Sequence, residues 1–383
     1  MKLIALIVVS FLLVILPAGS QAHTWHVRQD GTGDCTTIQA CIDSAGAGDS
    51  VLVGPGHYYE PLTISAKNIA LIGELGAAAT FIHGAPLRRT VHCISIPTKG
   101  VIRGLTITEG EVSSPYWPDN VGGGVFCESS DVEIVDNIIT NNIGGGIAAD
   151  AASVLYVSRN TISYNRGVWV EYGEIPGCGV YCLTSRALIE DNEFFHNDDA
   201  PAVLCQGSSP VVRRNIMREG SSGIDCLASS QATIYENLIV NGTNHGVYVS
   251  FSSPTIRNNT IVANNEGLSL DSASPIVENN VITASRWYGI DCTVPGPSLP
   301  ILHCNDVWNN SRGNYYSCTP GAGDFSADPL FCDPGLGDYH INLNSPCAPA
   351  NTGGCGLVGA FGIACGPTSV QETTWGRIKA LYR

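Results

Sequence analysis

One short phrase recurs eight times between residues 130 and 310: an aliphatic residue, two variable residues, an asparagine, one variable residue and a second apolar residue. Its asparagines are Asn137, Asn160, Asn192, Asn215, Asn237, Asn259, Asn280 and Asn305, at steps of 23, 32, 23, 22, 22, 21 and 25. A period near 22 residues per coil means that each repeat is a small unit that can bury its apolar face only against its neighbours. The chain must therefore build a solenoid. A leucine-rich solenoid shares the period but needs a leucine consensus and a helical segment. Here Ile and Val flank the asparagines and no 3.6-residue period appears, so the prediction is an all-β solenoid, a parallel β-helix.

Equivalent residues in successive coils of such a solenoid stack about 4.8 Å apart. The asparagine column then becomes a ladder of amides bonded to one another and to turn backbone. After each asparagine phrase comes a strand that usually opens with glycine, as in Gly124-Val-Phe-Cys, Gly223-Ile-Asp-Cys and Gly246-Val-Tyr-Val. Alternation turns the fourth residue inward, so Cys93, Cys127, Cys182, Cys205, Cys226 and Cys292 are expected to form a buried column. Thiols spaced along a line do not converge as zinc ligands must, so no metal is assigned to them.

Lys2, the apolar run Leu3 to Leu16 and the small-residue site Ser20-Gln21-Ala22 read as a signal peptide over residues 1–22. The run is too short to span a bilayer, so a protein secreted or held at the cell surface is expected, with no membrane span. Fifteen cysteines agree with an oxidising compartment. A formal charge of −15 argues against nucleic acid as a partner. The expected organisation is an N-terminal cap over 23–50, a β-helix over 51–310, a disulfide-rich C-terminal cap over 311–366 and a tail over 367–383. Thr37 to Ser44 reads as a short capping helix stapled by Cys35 and Cys41, and Cys304, Cys318, Cys332, Cys347, Cys355 and Cys365 crowd the other end. A monomer is expected.

Three stretches carry a family resemblance: Thr37-Ile-Gln-Ala-Cys-Ile-Asp-Ser-Ala-Gly-Ala-Gly-Asp-Ser-Val-Leu-Val-Gly-Pro-Gly-His-Tyr, Ile102-Arg-Gly-Leu-Thr-Ile, and Phe325-Ser-Ala-Asp-Pro-Leu-Phe followed by Asp338-Tyr-His-Ile and Ser345-Pro-Cys. The chain resembles the secreted right-handed parallel β-helix repeat proteins of bacteria, in the pectin-lyase-like superfamily. The resemblance implies a right-handed coil. It leaves activity open, because that superfamily holds lyases, hydrolases, epimerases, adhesins and proteins without known chemistry.

Two coils carry about ten extra residues at the same corner, giving loops over 111–121 and 167–177. Tyr116, Trp117 and Asp119 lie in the first, and Trp169, Glu171, Tyr172 and Glu174 in the second. Aromatic planes beside carboxylates suit sugar rings, whose CH faces stack while their hydroxyls need acceptors. These seven residues are the expected substrate-binding set; the bland alternative is that the loops cover apolar surface. The next coil has His196, Asp198 and Asp199 at that corner, the candidate catalytic set, and two coils further the corner reads Asn244-His245-Gly246. Polygalacturonases of the resembling fold use Asn-Thr-Asp, Asp-Asp, Gly-His-Gly and Arg-Ile-Lys; only Asp198-Asp199 matches within the repeats, and Arg377-Ile-Lys379 lies in the tail. Calcium is a candidate ligand of Asp198 and Asp199; no other cofactor is assigned. The expected function is binding of a polysaccharide or cell-surface glycan, or a surface or matrix role. The alternative is a polysaccharide lyase or glycoside hydrolase at that corner.

Overall fold

The computed structural model describes residues 22–112, 120–150, 152–170, 173–175, 178–197, 200–294 and 298–366. They form three long parallel sheets wound into one solenoid. The first sheet has 12 strands, running from Thr24–Val27 to Ile301–His303. The second and third have 11 each, from Gly56–Tyr59 to Asp306–Trp308 and from Leu62–Ser65 to Gly313–Tyr316. Each coil visits the three sheets in turn. The asparagine phrase itself spans two of the strands: Ile134 belongs to the first sheet, Ile139 to the second, and Asn137 sits at the corner between them. The second-sheet strand is commonly three residues long, and its middle residue is the inward one: Ile139, Ile162 and Ile239 are at most 1 % exposed.

All three corners are stitched by side chains. At the first, the backbone and side-chain N–H groups of Asn137 both donate to Asn160 Oδ1, at 2.9 and 3.1 Å. The same pair of bonds repeats through every asparagine of the column until Asn305 donates to Asp324 Oδ1, which ends the ladder with a carboxylate. The residue before each asparagine is left-handed, as at Asp136 (φ 56°) and Glu236 (φ 57°), which turns the chain sharply enough to aim the amide inward. A second ladder, not read from the sequence, joins Asn142, Asn165 and Asn197 at the next corner. At the third, Ser130 accepts from Ile96 N–H and Ser230 from Ser208 N–H. Most inward polar groups are thus satisfied where the backbone leaves its sheets, with the Ser185 and Ser285 hydroxyls enclosed without a partner.

The glycines that open the third-sheet strands are fixed by crowding. A Cβ on Gly223, Gly246 or Gly267 would stand 2.5, 2.6 or 2.5 Å from the carbonyl oxygen of the equivalent glycine in the following coil. The thiol column behind them is buried as expected, with Cys93 registered on Cys127 and Cys182 on Cys205, which in turn meets Cys226.

The N-terminal helix spans Ile38–Ser44, capped by Thr37, and buries Ile38, Cys41 and Ile42 over the open end. Cys35 and Cys41 are bonded. Thr24–Val27, inside the expected cap, already pairs with Ser50–Val53 as the first rung, because its residues continue the first sheet's inward register. At the other end Cys304–Cys355 and Cys332–Cys365 hold a cap built on a small three-stranded sheet, while Cys318 and Cys347 remain thiols. The cap folds back on the second sheet, where Tyr339 packs on Leu238, Val240 and Val262. The expected signal peptide and tail lie outside the described residues, apart from Ala22 at its end. Among the described residues no helix is long and apolar enough to cross a membrane.

Candidate functional site

Most of the expected corner site falls where side chains are not described. Tyr116, Trp117, Asp119, Glu171, Tyr172, Asp198 and Asp199 lie outside the described residues. Trp169 and Glu174 face each other by backbone register across a hairpin of Val168–Val170 and Gly173–Ile175. His196 is described: its Nε2 lies 3.3 Å from Glu219 Oε2, and its ring stacks on Tyr164 at 5.1 Å. It therefore pairs with a carboxylate of the following coil. Beside it, between the second sheet and the C-terminal cap, a cavity of about 390 Å3 is lined by Arg218, Glu219, Leu336 and Tyr339 among others.

The bases of the inserted loops show what they cover. Val121, Cys178 and Ala200 pack against Phe126, Ala148, Tyr181 and Leu204, the outward column of the third sheet. The Arg89 guanidinium lies 4.3 Å over the Phe126 ring. On this upstream stretch the outer face is an apolar surface under a lid of chain.

Downstream of Leu204 the same column changes character. Successive register partners are Asp225, Tyr248, Ser269, Asp291 and Tyr316, one per coil. His245 registers on Glu266, and Ser250 on Asp271. Glu266, Ser269, Asp271 and Asp291 are each at most 9 % exposed, so they form a recessed polar floor. The register with the following strand shifts between Ser269 and Asp271. Along one margin Tyr288 and Tyr316 stack at 4.4 Å, and the Arg312 guanidinium lies 3.9 Å over Trp287. Trp287 and Tyr316 are about two-fifths exposed, giving the floor an aromatic rim.

Burial works against the charged forms of three groups on this face. His245 Nε2 stands 3.5 Å from Glu266 Oε2, and the imidazole stacks on Tyr248 at 5.1 Å. Burial lowers the pKa of His245, against the pull of Asp291. Burial also raises that of Glu266, with Ser269 opposing and Asp291 adding to the rise. Burial pushes Asp225 up to about 7, with Ser222 opposing. Asp225 Oδ1 and His245 Nδ1 are enclosed without a hydrogen-bond partner, although Asp225 is partly exposed as a whole. Tyr248 OH reaches Asp271 Oδ2 at 3.4 Å, which Ser250 also approaches at 3.2 Å. A neutral imidazole facing a carboxyl inclined to keep its proton is an acid–base pair. Strand alternation alone places Asp225, Tyr248, Ser269 and Asp291 outward, with no two carboxylates in neighbouring coils among them. Glu266 and Asp271 supply these, because the strand Glu266–Asp271 extends beyond the four residues its glycine suggested.

A second titratable chain, unread in the sequence, lies near the N-terminal end of the second sheet. Glu109 Oε2 contacts His83 Nδ1 at 3.0 Å, and His83 Nε2 contacts His57 Nδ1 at 2.9 Å. Tyr59 stacks on His83 and Phe81 on His57.

Residues 174–307 match the family model described as a right handed beta helix region. No curated protein matches the chain. Among solved structures, it is similar to the A-module of the Azotobacter vinelandii mannuronan C-5 epimerase AlgE6, at 15 % identity and TM-score 0.46 over 76 % of this chain and 94 % of that one. It is similar to the pectate lyase Pel9A at 11 % identity and TM-score 0.47, over 90 % and 97 %. An alginate lyase from Paenibacillus sp. str. FPU-7 gives 12 % identity and TM-score 0.45, over 78 % and 99 %. With three continuous parallel sheets closed by corner ladders, and the matched region spanning six strands of its first sheet and six of its third, the chain is a right-handed parallel β-helix.

Proposed function

We propose that this protein binds polysaccharide along the outer face of its third sheet, between Asp225 and Tyr316. One observation carries the reading: a recessed floor of carboxyl, hydroxyl and imidazole groups bordered by the exposed rings of Trp287 and Tyr316. Sugar rings stack on such rims and hydrogen-bond to such floors. The described bases of the inserted loops act as cover over the upstream apolar column, which moves the proposed site away from residues 111–121 and 167–177. The protein acts outside the cytoplasm in this reading, supported by its three disulfides and the apolar run Leu3 to Leu16.

A second reading is cleavage of the bound polymer. The His245–Glu266 contact favours it, since burial lowers the pKa of the imidazole and raises that of the carboxyl, and an imidazole and a carboxyl in contact can exchange a proton with a bound polymer. The test is incubation of the mature protein with neutral and acidic polysaccharides, with and without calcium. Mannuronan, alginate and pectate head the panel. Binding is read by calorimetry, and products by reducing ends and by ultraviolet absorbance of unsaturated sugars. Retained binding without product supports the first reading, and product lost in His245→Gln supports the second. Absence of both across the panel sinks the proposal.

A further inference from the structure

The last two rungs of the third sheet bring together two thiols that the function above does not use. Asp291 registers on Tyr316 and Ile290 on Tyr315. Cys292 follows directly, and Cys318 comes two residues after Tyr316. Cys318 packs against the core cluster that contains Cys292, and each thiol perturbs the pKa of the other. Cys318 Sγ also lies 3.6 Å from Tyr316 O and 4.0 Å from Ile290 O, so it sits over the Cys292 strand.

We infer that Cys292 and Cys318 form a fourth disulfide, a redox-sensitive clasp that holds the final strand Gly313–Tyr316, and with it Tyr316, against the polar floor. Three bonded pairs already show a chain suited to oxidising surroundings. The other thiol pairs in contact, Cys93 with Cys127 and Cys205 with Cys226, are fully buried rungs of the inward column, out of reach of a reagent. Cys318 is half-buried and accessible. Its thiol pKa is lowered by its interaction with Cys292, which favours the attacking thiolate there.

The co-reactant is a small disulfide such as oxidised glutathione, or the disulfide of a dithiol oxidase. Cys318 thiolate attacks one sulfur of that disulfide and expels the other as a thiolate. Cys292 then loses its proton and attacks Cys318 Sγ in the mixed disulfide, expelling the second reagent sulfur. Two electrons pass from the cysteine pair to the reagent, and two reagent thiols leave.

The test is alkylation with iodoacetamide of the full chain, refolded in a glutathione redox buffer and then denatured without reductant. Fifteen cysteines with four disulfides leave seven alkylated thiols, whereas the three bonds already formed leave nine. Cleavage before aspartate then isolates residues 306–323, whose only cysteine is Cys318, from residues 291–305, which carry Cys292 and Cys304. A 306–323 peptide crosslinked to 291–305, which also carries the cap peptide through Cys304–Cys355, and absent from both Cys318→Ser and Cys292→Ser, is the expected result. Nine alkylated thiols with an unlinked 306–323 peptide overturn the inference. So does a link from Cys318 to any other cysteine. The count does not depend on polysaccharide binding, so the clasp and the proposed function fail separately.

Discussion

Asn237 donates from its backbone and its side chain to the same atom, Asn259 Oδ1, at 3.1 and 3.0 Å. Its own Oδ1 receives the same pair from Asn215, while its side chain also bonds Val212 O. Asn237→Ala deletes the acceptor of a buried backbone N–H and several amide bonds at once. A loss of about 3 kcal/mol is expected, from about 1–3 kcal/mol per buried group left unsatisfied. Denaturant unfolding beside the exposed control Asn241→Ala measures it; equal midpoints would show that the ladder adds no stability.

Gly246→Ala forces a Cβ to within 2.6 Å of Gly267 O and 2.4 Å of Ile261 Cγ2. Neither a rung carbonyl nor a packed core methyl can retreat without prising two coils apart. The variant should lose about 1–3 kcal/mol, as overpacked cores do, and lower the thermal midpoint. An unchanged midpoint contradicts the close approach of the rungs.

The pH dependence at Asp225 has a definite sign. Its carboxyl pKa rises from 3.8 to about 7 in the folded protein. The unfolded chain therefore ionises Asp225 first, and stability from this group falls as pH rises from about 4 to about 7, then levels off. Asp225→Asn removes that cost and should raise the thermal midpoint at pH 8 more than at pH 4. The gain is on the order of 2 kcal/mol, less than the full shift implies because the residue is partly exposed. Equal effects at both pH values would refute the raised pKa.

At the rim, Tyr316→Ala removes an exposed ring stacked on Tyr288. Affinity for a bound polysaccharide should fall about tenfold, near 1.4 kcal/mol, with folding unchanged. Glu266→Gln should lower turnover if the chain cleaves its ligand, while leaving affinity within a few-fold. Calorimetry and product assays on the same samples separate the two.

Cys304–Cys355 ties a first-sheet corner to the C-terminal cap across 51 residues. Replacing both by Ser should cost about 2–4 kcal/mol. It should also increase aggregation, since a loosened cap uncovers strand edges. Light scattering at the thermal midpoint reads the second effect.

The repeat was legible because each coil reuses one residue at one place: Asn237 and Gly246 recur as types for reasons of hydrogen bonding and crowding that every rung shares. The second asparagine ladder was not, because Gly220, Gly242 and Ser285 interrupt its column. The second sheet was hidden inside the asparagine phrase, its strands being too short to show alternation. Disulfide Cys35–Cys41 followed from spacing, whereas the pairing of Cys304 with Cys355 needed the cap to fold back. At the candidate site, alternation along the glycine-led strands suffices to place Asp225, Tyr248 and Asp291 outward. It missed the His245–Glu266 contact because these strands begin before their glycines. The aromatic loop residues Tyr116, Trp117 and Tyr172 lie outside the described residues, and the described loop bases cover an apolar face.

The third sheet advances one rung about every 4.8 Å. A chain molecule lying across those rungs would meet Asp225, Tyr248, Ser269, Asp291 and Tyr316 as marks on a ruler. Its grip would depend on how closely its own repeat keeps step. A polymer in phase gains with every added unit, one out of phase stops gaining after a few, and length selectivity follows from the spacing of the backbone.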